Sequence, residues 1–332
     1  MLSEFDIIRT CFDQPGLTAE KNDVVRQGIG DDCALLSIPQ GQDLAFSMDT
    51  LVENIHFPAS APAELIASRS LAVNLSDLAA TGAAPLVFTL GLTIPEASEN
   101  WLSAFASGLR SVASDFNCYL IGGDMSRGPL TISIQVQGLV ARGKAILRNG
   151  AKPGDKIYVT ETLGAAGLAL QMFKGKIAGL AGEEKETLQT AFYQPVPRIK
   201  AAIALADYVS AGIDISDGLL ADLGHICAQS QCAAIINLAD VPVAPLVEKF
   251  LGKPQGRIHA LSAGDDYELI FTVPQDKEEA LLRAAQSLPE RLTCIGEMTR
   301  LKENENAVIC LDETGNTVTI ENSGYRHFKE RG

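Results

Sequence analysis

The stretch PAELIASRSLAVNLSDLAATG, residues 62–82, predicts a long helix with an acidic side chain, Asp77, inside its second half. Pro62 favours the first turn of a helix and Gly82 favours its end. The leucines of this stretch fall on one face at helical spacing: Leu65, Leu71, Leu75 and Leu78. Asp77 lies on that apolar side, where an unpaired carboxylate is costly to bury. A bound cation explains Asp77 better than a helix cap or a solvated face does.

The segments that follow predict a mixed sheet and a second domain. Residues 85–94, 118–121 and 130–140 read as strands, and residues 96–116 as another long helix. The turn-rich stretch NGAKPGD at residues 149–155 is the best boundary, so we expect domains at 1–148 and 149–332. Strands and helices alternate without a strict βαβ rhythm, which favours an α/β or α+β fold for the pair.

Composition excludes several classes of protein. The chain has 332 residues, 46% of them hydrophobic and 20% charged, which is typical of a globular protein of about two domains. Lys and Arg number 27 against 41 Asp and Glu, a net charge of −14. Nucleic acids and anionic membrane surfaces require basic patches, so we expect neither as a main partner.

The cysteines and the apolar runs indicate a reduced cytoplasmic protein. The seven cysteines are scattered and form no CxxC pair, so they favour buried thiols over a zinc site or a disulfide framework. The first residues carry no signal-peptide pattern, and no run approaches 18 apolar residues. We therefore expect a cytoplasmic location without a membrane span.

Aspartates concentrate in short segments that we interpret as turns, most of them next to glycine and after an apolar run. These segments are residues 28–32, 47–50, 76–77, 122–124, 214–218 and 264–268. Carboxylates on backbone that a ligand can approach suit Mg²⁺ bound to phosphates. Any one such segment is also explained as an ordinary turn or cap, but six together favour a site for several metal ions.

Other catalytic patterns are absent from the sequence. It contains no P-loop motif, no protein-kinase catalytic loop and no complete dinucleotide fingerprint. The four histidines form neither an HExxH motif nor a triad, so the residue pattern alone favours a structural role over a catalytic role for each of them. Three basic residues near loop glycines could contact phosphate or simply be solvated: Arg127, Arg148 and Lys152.

The acidic segments together resemble the thiamine-monophosphate kinases, within the aminoimidazole-ribonucleotide synthetase-like ATP-binding superfamily. The resemblance runs from about residue 4 to 328, and its motifs occur in order: GIGDDCA at 28–34, AVNLSDLAA at 72–80, IGGD at 121–124, GAKPGD at 150–155, IDISDGL at 213–219 and DYEL at 266–269. It implies an N-terminal mixed sheet with helices, shared across a homodimer, and a C-terminal α+β domain.

The resemblance also implies a reaction and a set of site residues. ATP would phosphorylate the phosphate of thiamine monophosphate, giving thiamine diphosphate and ADP without an acid–base side chain. Residues implied to hold several Mg²⁺ ions are Asp32, Ser47, Met48, Asp49, Asp77, Asp124, Asp214 and Asp217. Gly123, Asp124, Arg148 and Ser216 would contact ATP, and His56, Asp265 and Tyr325 would contact the acceptor.

The sequence departs from the family pattern at three places. Met48 replaces the usual Thr, so any metal contact there must come from the backbone, and Asp265 replaces the usual Glu. The loop TLGAAG at 162–167 lacks an Asp-Ser pair. Two alternatives remain open: a superfamily relative that activates a different acceptor, such as a hydrogenase-maturation protein or an aminoimidazole-ribonucleotide synthetase, and a non-catalytic sensor of Mg-nucleotide.

Overall fold

A computed structural model describes residues 4–302, 307–320 and 324 of the chain. It divides into two compact units, one formed by residues 1–78 and 83–144 and the other by residues 79–82 and 145–332. After the first sheet, the chain leaves the first unit at Lys144 and enters the second at Ala145. The sequence predicts the domain boundary between residues 148 and 149.

The first unit is built on a four-stranded sheet. Its elements in chain order are α1 (Glu4–Ile7) continued by a π-helical turn (Ile8–Phe12), β1 (Val25–Gln27), β2 (Leu35–Leu36), β3 (Gln42–Val52), α2 (Ala63–Thr81), β4 (Ala84–Ile94), α3 (Glu99–Phe116), β5 (Tyr119–Arg127) and β6 (Thr131–Ala141). The sheet order is β3-β6-β4-β5, with only the β4–β5 pair parallel. Strands β1 and β2 pair separately. The helix predicted at 62–82 is confirmed as α2.

The two faces of this sheet differ in burial. Ile132, Ile134 and Val136 of β6 are completely buried, and cross-strand pairing puts Ser47 and Asp49 of β3 on the same face. The other face of β3 carries Leu44, Phe46 and Met48, which are 38%, 67% and 60% exposed. One face therefore packs in the unit's core, and the other remains open in the single chain.

Two of the segments interpreted as turns are strands and a third, residues 76–77, lies inside helix α2, so that interpretation is wrong for residues 47–50, 76–77 and 122–124. Residues 47–50 lie inside β3, and residues 122–124 lie inside β5. The glycine at 123 serves close strand packing, because a Cβ atom there would lie 2.0 Å from the carbonyl oxygen of Leu90. Glycine is needed here because two strand backbones lie close together. The local sequence does not distinguish this use of glycine from its use in a turn.

The second unit is built on a seven-stranded sheet. Its elements are β7 (Lys156–Thr160), α4 (Ala165–Phe173), α5 (Gly182–Tyr193), α6 (Ile199–Leu205), β8 (Ala211–Asp214), α7 (Leu219–Ser230), β9 (Cys232–Asn237), α8 (Pro245–Leu251), α9 (Lys253–Ser262), β10 (Leu269–Val273), α10 (Glu278–Ala285), β11 (Leu292–Arg300), β12 (Val308–Leu311) and β13 (Thr317–Val318). The strand order is β13-β12-β9-β11-β7-β10-β8, and only β9 and β12 run parallel. Helices and a largely antiparallel sheet confirm the α+β character expected for this half.

Two further features bear on the setting of the chain. None of the helices in the described residues is long and apolar enough to cross a bilayer. All seven cysteines are free thiols, of which only Cys33 is exposed. Burial raises the pKa of the Cys227 thiol to about 12, so this thiol is inert at neutral pH.

Candidate functional site

Strand β3 and helix α2 bring three of the implied metal ligands together in the first unit. The hydroxyl of Ser47 donates a hydrogen bond of 2.6 Å to Oδ2 of Asp77. The backbone N–H of Asp49 donates to Oδ1 of Asn74 at 2.9 Å. Ser47 and Asp49 are two apart on a strand, and Asn74 and Asp77 are three apart on a helix, so each pair shares a face. The two elements are thus held in a definite register.

The carboxylates of Asp49 and Asp77 are close enough to repel each other. Burial, and then the charge of Asp77, raise the pKa of Asp49 to about 6. A divalent cation would relieve both effects, because it neutralises the repulsion and supplies the missing solvation. Half-buried oxygen ligands of this kind fit Mg²⁺, which usually takes one or two carboxylates together with substrate phosphates.

A metal cage made by protein side chains alone is not found in the described part of the chain. Within residues 4–302, 307–320 and 324, no three His, Cys, Asp or Glu side chains come together as a metal site. The Asp49–Asp77 pair therefore suits an ion whose other ligands are water and phosphate rather than protein.

Two of the other implied ligands of the first unit, the side chains of Met48 and Asp124, lie apart from this pair. Asp32 lies in the exposed loop that joins β1 to β2. Met48 points away from Asp49 on the open face, as strand alternation requires. Asp124 is exposed on β5, where it accepts a hydrogen bond of 3.2 Å from Ser126. Since β3 and β5 are the opposite edges of the sheet, Asp124 and Asp49 do not meet within this sheet.

His56, an implied acceptor contact, is fixed by the backbone of its own loop. Its Nδ1 atom accepts a hydrogen bond of 2.9 Å from the N–H of Val52. An accepting Nδ1 places the ring proton of neutral His56 on Nε2. The second nitrogen is thus a donor in the neutral ring.

In the second unit, the end of β8 and the loop that joins it to α7 carry Asp214, Ser216 and Asp217. Asp214 is the last residue of β8 and is 4% exposed. Three successive backbone N–H groups, those of Ser216, Asp217 and Gly218, donate to Oδ2 of Asp222 at 3.0, 3.1 and 3.2 Å. Burial, and then the charge of Asp217, raise the pKa of Asp222 to about 7, although the three N–H groups oppose the rise.

The segment that contains Asp265 packs directly on this loop. The N–H of Asp265 donates to the carbonyl oxygen of Ser216 at 2.8 Å. Asp265 has φ of +71°, a left-handed conformation that Asp tolerates better than most residues. A Cβ atom at Gly264 would lie 2.3 Å from the Ser216 oxygen, so only glycine fits there. Ser216 and Asp265, implied to contact different substrates, are therefore neighbours.

Two implied contacts are less well defined. Arg148 is exposed, and its carbonyl oxygen accepts a hydrogen bond of 3.1 Å from Ser230. Tyr325 lies outside the described residues. The preceding residue is described: a Cβ atom at Gly324 would lie 2.8 Å from the carbonyl oxygen of Asp217.

Sequence reasoning missed two buried polar residues of these sites, Asn74 and Asp222. Asn74 is completely buried and Asp222 is 3% exposed. Asp222, like Asp77, is an acidic residue among leucines in a predicted helix. The cost of burying an unpaired carboxylate therefore also predicts a partner for Asp222. Asn74 gave a weaker signal, because an amide in a helix is often solvated.

Comparison with known proteins identifies the family. Residues 30–140 match the model of the AIR synthase related protein N-terminal domain, and residues 152–308 match that of its C-terminal domain. The thiamine-monophosphate kinase of Escherichia coli K12 is 43% identical over 326 residues, which cover 98% of each chain. The chain belongs to the thiamine-monophosphate kinase family.

Solved structures of this kinase family share the fold. The thiamine-monophosphate kinase of Stenotrophomonas maltophilia K279a is 40% identical and superposes with a TM-score of 0.81, covering 90% of this chain and 93% of that one. AaThiL complexed with AMPPCP and TMP is 26% identical, with a TM-score of 0.76 and coverage of 88% and 89%. The motifs that indicated the thiamine-monophosphate kinases in the sequence are thus confirmed as family membership.

Proposed function

We propose that this chain is a thiamine-monophosphate kinase that transfers the γ-phosphoryl group of ATP to the phosphate of thiamine monophosphate, giving thiamine diphosphate and ADP. The observation that carries the proposal is the Asp49–Asp77 carboxylate pair, anchored by Ser47 and Asn74 where β3 meets α2. AaThiL, a relative of the same fold, is complexed with AMPPCP, an ATP analogue, and with TMP.

The reaction depends more on neutralising the negative charge of the two phosphates than on acid–base catalysis. A phosphate monoester has a second pKa of about 6, so the acceptor is mostly ionised at neutral pH and needs no general base. Two anions must instead be brought together and held in line. Bound Mg²⁺ supplies charge neutralisation for both phosphates. The chain's part is to hold carboxylate oxygens in place and to orient the two substrates.

The assignment of residues to these tasks follows the family resemblance. The proposed Mg²⁺ ligands are Asp32, Ser47, the backbone of Met48, Asp49, Asp77, Asp124, Asp214 and Asp217. The proposed ATP contacts are Gly123, Asp124, Arg148 and Ser216, and the proposed acceptor contacts are His56, Asp265 and Tyr325. Support comes from the Ser47–Asp77 hydrogen bond and from the Ser216–Asp265 contact, which bring members of these sets together.

We propose that residues 1–148 form the ATP- and Mg²⁺-binding dimerisation domain and that residues 149–332 contribute to both substrate sites. A homodimer is supported by the open face of the first sheet, on which Phe46 and Met48 are largely exposed. A second copy would cover these side chains. Seven free thiols suit a reducing compartment, and we place the enzyme in the cytoplasm.

The test is an assay of purified protein with ATP and Mg²⁺, with and without thiamine monophosphate. ADP is measured by a coupled assay, and thiamine diphosphate by chromatography. Equal amounts of ADP and thiamine diphosphate, formed only when the acceptor is present, are expected. ADP without thiamine diphosphate would move the acceptor to another compound, and bound ATP without ADP would make the chain a sensor.

A further inference from the structure

The carboxylate of Asp222 accepts three backbone N–H groups just before helix α7, where other proteins can bind an anion. The first turn of a helix exposes backbone N–H groups, and these commonly bind phosphate or a carboxylate. In this chain the N–H groups of Ser216, Asp217 and Gly218, directly before α7, all donate to one oxygen of Asp222. Asp222 is itself in the first turn of α7 and is buried. The carboxylate of Asp222 thus takes the place of a bound anion at the start of α7.

The consequence is a change in what the loop can bind. The N–H groups of Ser216, Asp217 and Gly218 are taken by Asp222, and the charged side chains of residues 214–218 are the carboxylates of Asp214 and Asp217. A loop with satisfied donors and two acidic side chains suits a cation rather than an anion.

We propose that Asp222 is a positioning residue: by fixing the backbone of residues 216–218, it holds the carboxylate of Asp217 beside that of Asp214 for a divalent ion. The inference rests on the proposed function, which places Asp214 and Asp217 among the Mg²⁺ ligands. Asp222 itself touches neither metal nor substrate and acts through the backbone of the loop.

The packing of the loop explains why its conformation must be fixed. The carbonyl oxygen of Ser216 faces Gly264 so closely that a Cβ atom there would lie 2.3 Å away. The carbonyl oxygen of Asp217 faces Gly324, where a Cβ atom would lie 2.8 Å away. The same Ser216 oxygen accepts the N–H of Asp265. A shift of the loop therefore displaces the segment proposed to contact the acceptor.

Two variants separate charge from shape. Asp222→Ala leaves three N–H groups without their acceptor, whereas Asp222→Asn keeps an acceptor oxygen and removes the charge. Asp312→Asn is the matched control, because Asp312 also accepts two backbone N–H groups, those of Thr314 and Asn316, in a turn without a proposed site residue.

The experiment measures Mn²⁺ binding by electron paramagnetic resonance at saturating AMPPCP, with thermal unfolding recorded alongside. Asp222→Ala is expected to weaken binding of at least one Mn²⁺ ion tenfold or more, Asp222→Asn to weaken it less, and Asp312→Asn to leave it unchanged. Inorganic phosphate is expected to compete with AMPPCP more strongly in Asp222→Ala than in the wild-type protein.

Normal Mn²⁺ binding by both Asp222 variants, even with lowered thermal stability, would overturn the proposal and leave Asp222 a purely structural residue. If Asp222→Ala does not fold, Asp222→Asn decides the matter by the same measurement. Because Mn²⁺ and AMPPCP binding needs no acceptor, failure of the wild-type protein to make thiamine diphosphate would refute the proposed function without refuting this role.

Discussion

The Ser47 hydroxyl donates a hydrogen bond of 2.6 Å to Oδ2 of Asp77, and this bond joins the edge strand β3 to the C-terminal part of helix α2. The hydrogen bond is charge-assisted, a class that is shorter and stronger than neutral pairs. The charge of Asp77 also acts on Asp49, since it contributes, after burial, to the raised pKa of Asp49. The bond thus orients a carboxylate that an unpaired helix position would leave free to rotate.

Asp77→Asn is expected to reduce kcat at least 100-fold while the fold stays intact, because it removes negative charge from the metal pair without changing side-chain volume. Steady-state kinetics over a range of Mg²⁺ concentrations, with circular dichroism, check this. The matched control is Asp115→Asn on α3, an exposed position with full activity expected. Near-normal turnover of Asp77→Asn at saturating Mg²⁺ would remove Asp77 from the metal site.

Asn74→Ala is expected to lower the free energy of unfolding by about 1–3 kcal/mol, because it leaves the N–H of Asp49 without its acceptor. It should also raise the Mg²⁺ concentration for half-maximal activity, since the hydrogen bond that joins the backbone of Asp49 to helix α2 is lost. Ser70→Ala is the control: the Ser70 hydroxyl is buried on the same helix and donates to the carbonyl oxygen of Ile66. An unchanged Mg²⁺ requirement in Asn74→Ala would make Asn74 a purely structural residue.

Gly123→Ala and Gly122→Ala form a matched pair that separates packing from nucleotide contact. A Cβ atom at Gly123 would lie 2.0 Å from the Leu90 oxygen, whereas one at Gly122 would meet no atom within 4 Å. Gly123→Ala is therefore expected to destabilise the protein by about 2 kcal/mol or more, and Gly122→Ala by far less. Thermal unfolding checks this prediction. Equal stability of the two variants, with a raised ATP KM in Gly123→Ala alone, would favour a nucleotide role over a packing role.

The sequence predicted features that depend on local periodicity and missed those that depend on register. Helix α2 and the unusual place of Asp77 followed from leucine spacing alone. The sequence does not predict strand β11. It also predicts a turn at residues 122–124, which lie in β5, because local residues do not reveal a close approach such as that of Gly123 to Leu90. Which aspartates share a face depends on strand order, and only the structure separates Asp124 from Asp49.

Asp265→Glu is expected to keep the KM for thiamine monophosphate within about threefold of the wild-type value, because Glu keeps the carboxylate and is the residue that the family resemblance implies at this position. A cost below about 1 kcal/mol in the free energy of unfolding is expected from the left-handed backbone at φ of +71°. Asp265→Ala should raise the same KM about tenfold with little change in the KM for ATP. A large rise in the acceptor KM for Asp265→Glu would contradict the assignment.

His259 is expected to make the free energy of unfolding fall as the pH drops below about 6.5. Burial lowers the pKa of His259, and its Nε2 lies 3.0 Å from the carbonyl oxygen of Gly164 while the Gln171 amide nitrogen lies 3.4 Å from Nδ1. Between the lowered pKa and the unperturbed value of about 6.5, the unfolded chain binds a proton that the folded chain does not. Acidification through that window therefore favours unfolding, with a slope of at most about 1.4 kcal/mol per pH unit from this residue.

Urea unfolding of wild type, His259→Gln and the exposed-site control His225→Gln between pH 7.5 and 5 isolates this contribution. The buried carboxyls of Asp266 and Glu268 have raised pKa values and act in the opposite direction, so the informative quantity is the difference between variants. His259→Gln should flatten the acid side of the wild-type profile because Gln carries no titrating proton, whereas His225→Gln should follow the wild type. Parallel profiles for His259→Gln and the wild type would show that His259 takes up its proton equally in the folded and unfolded chain.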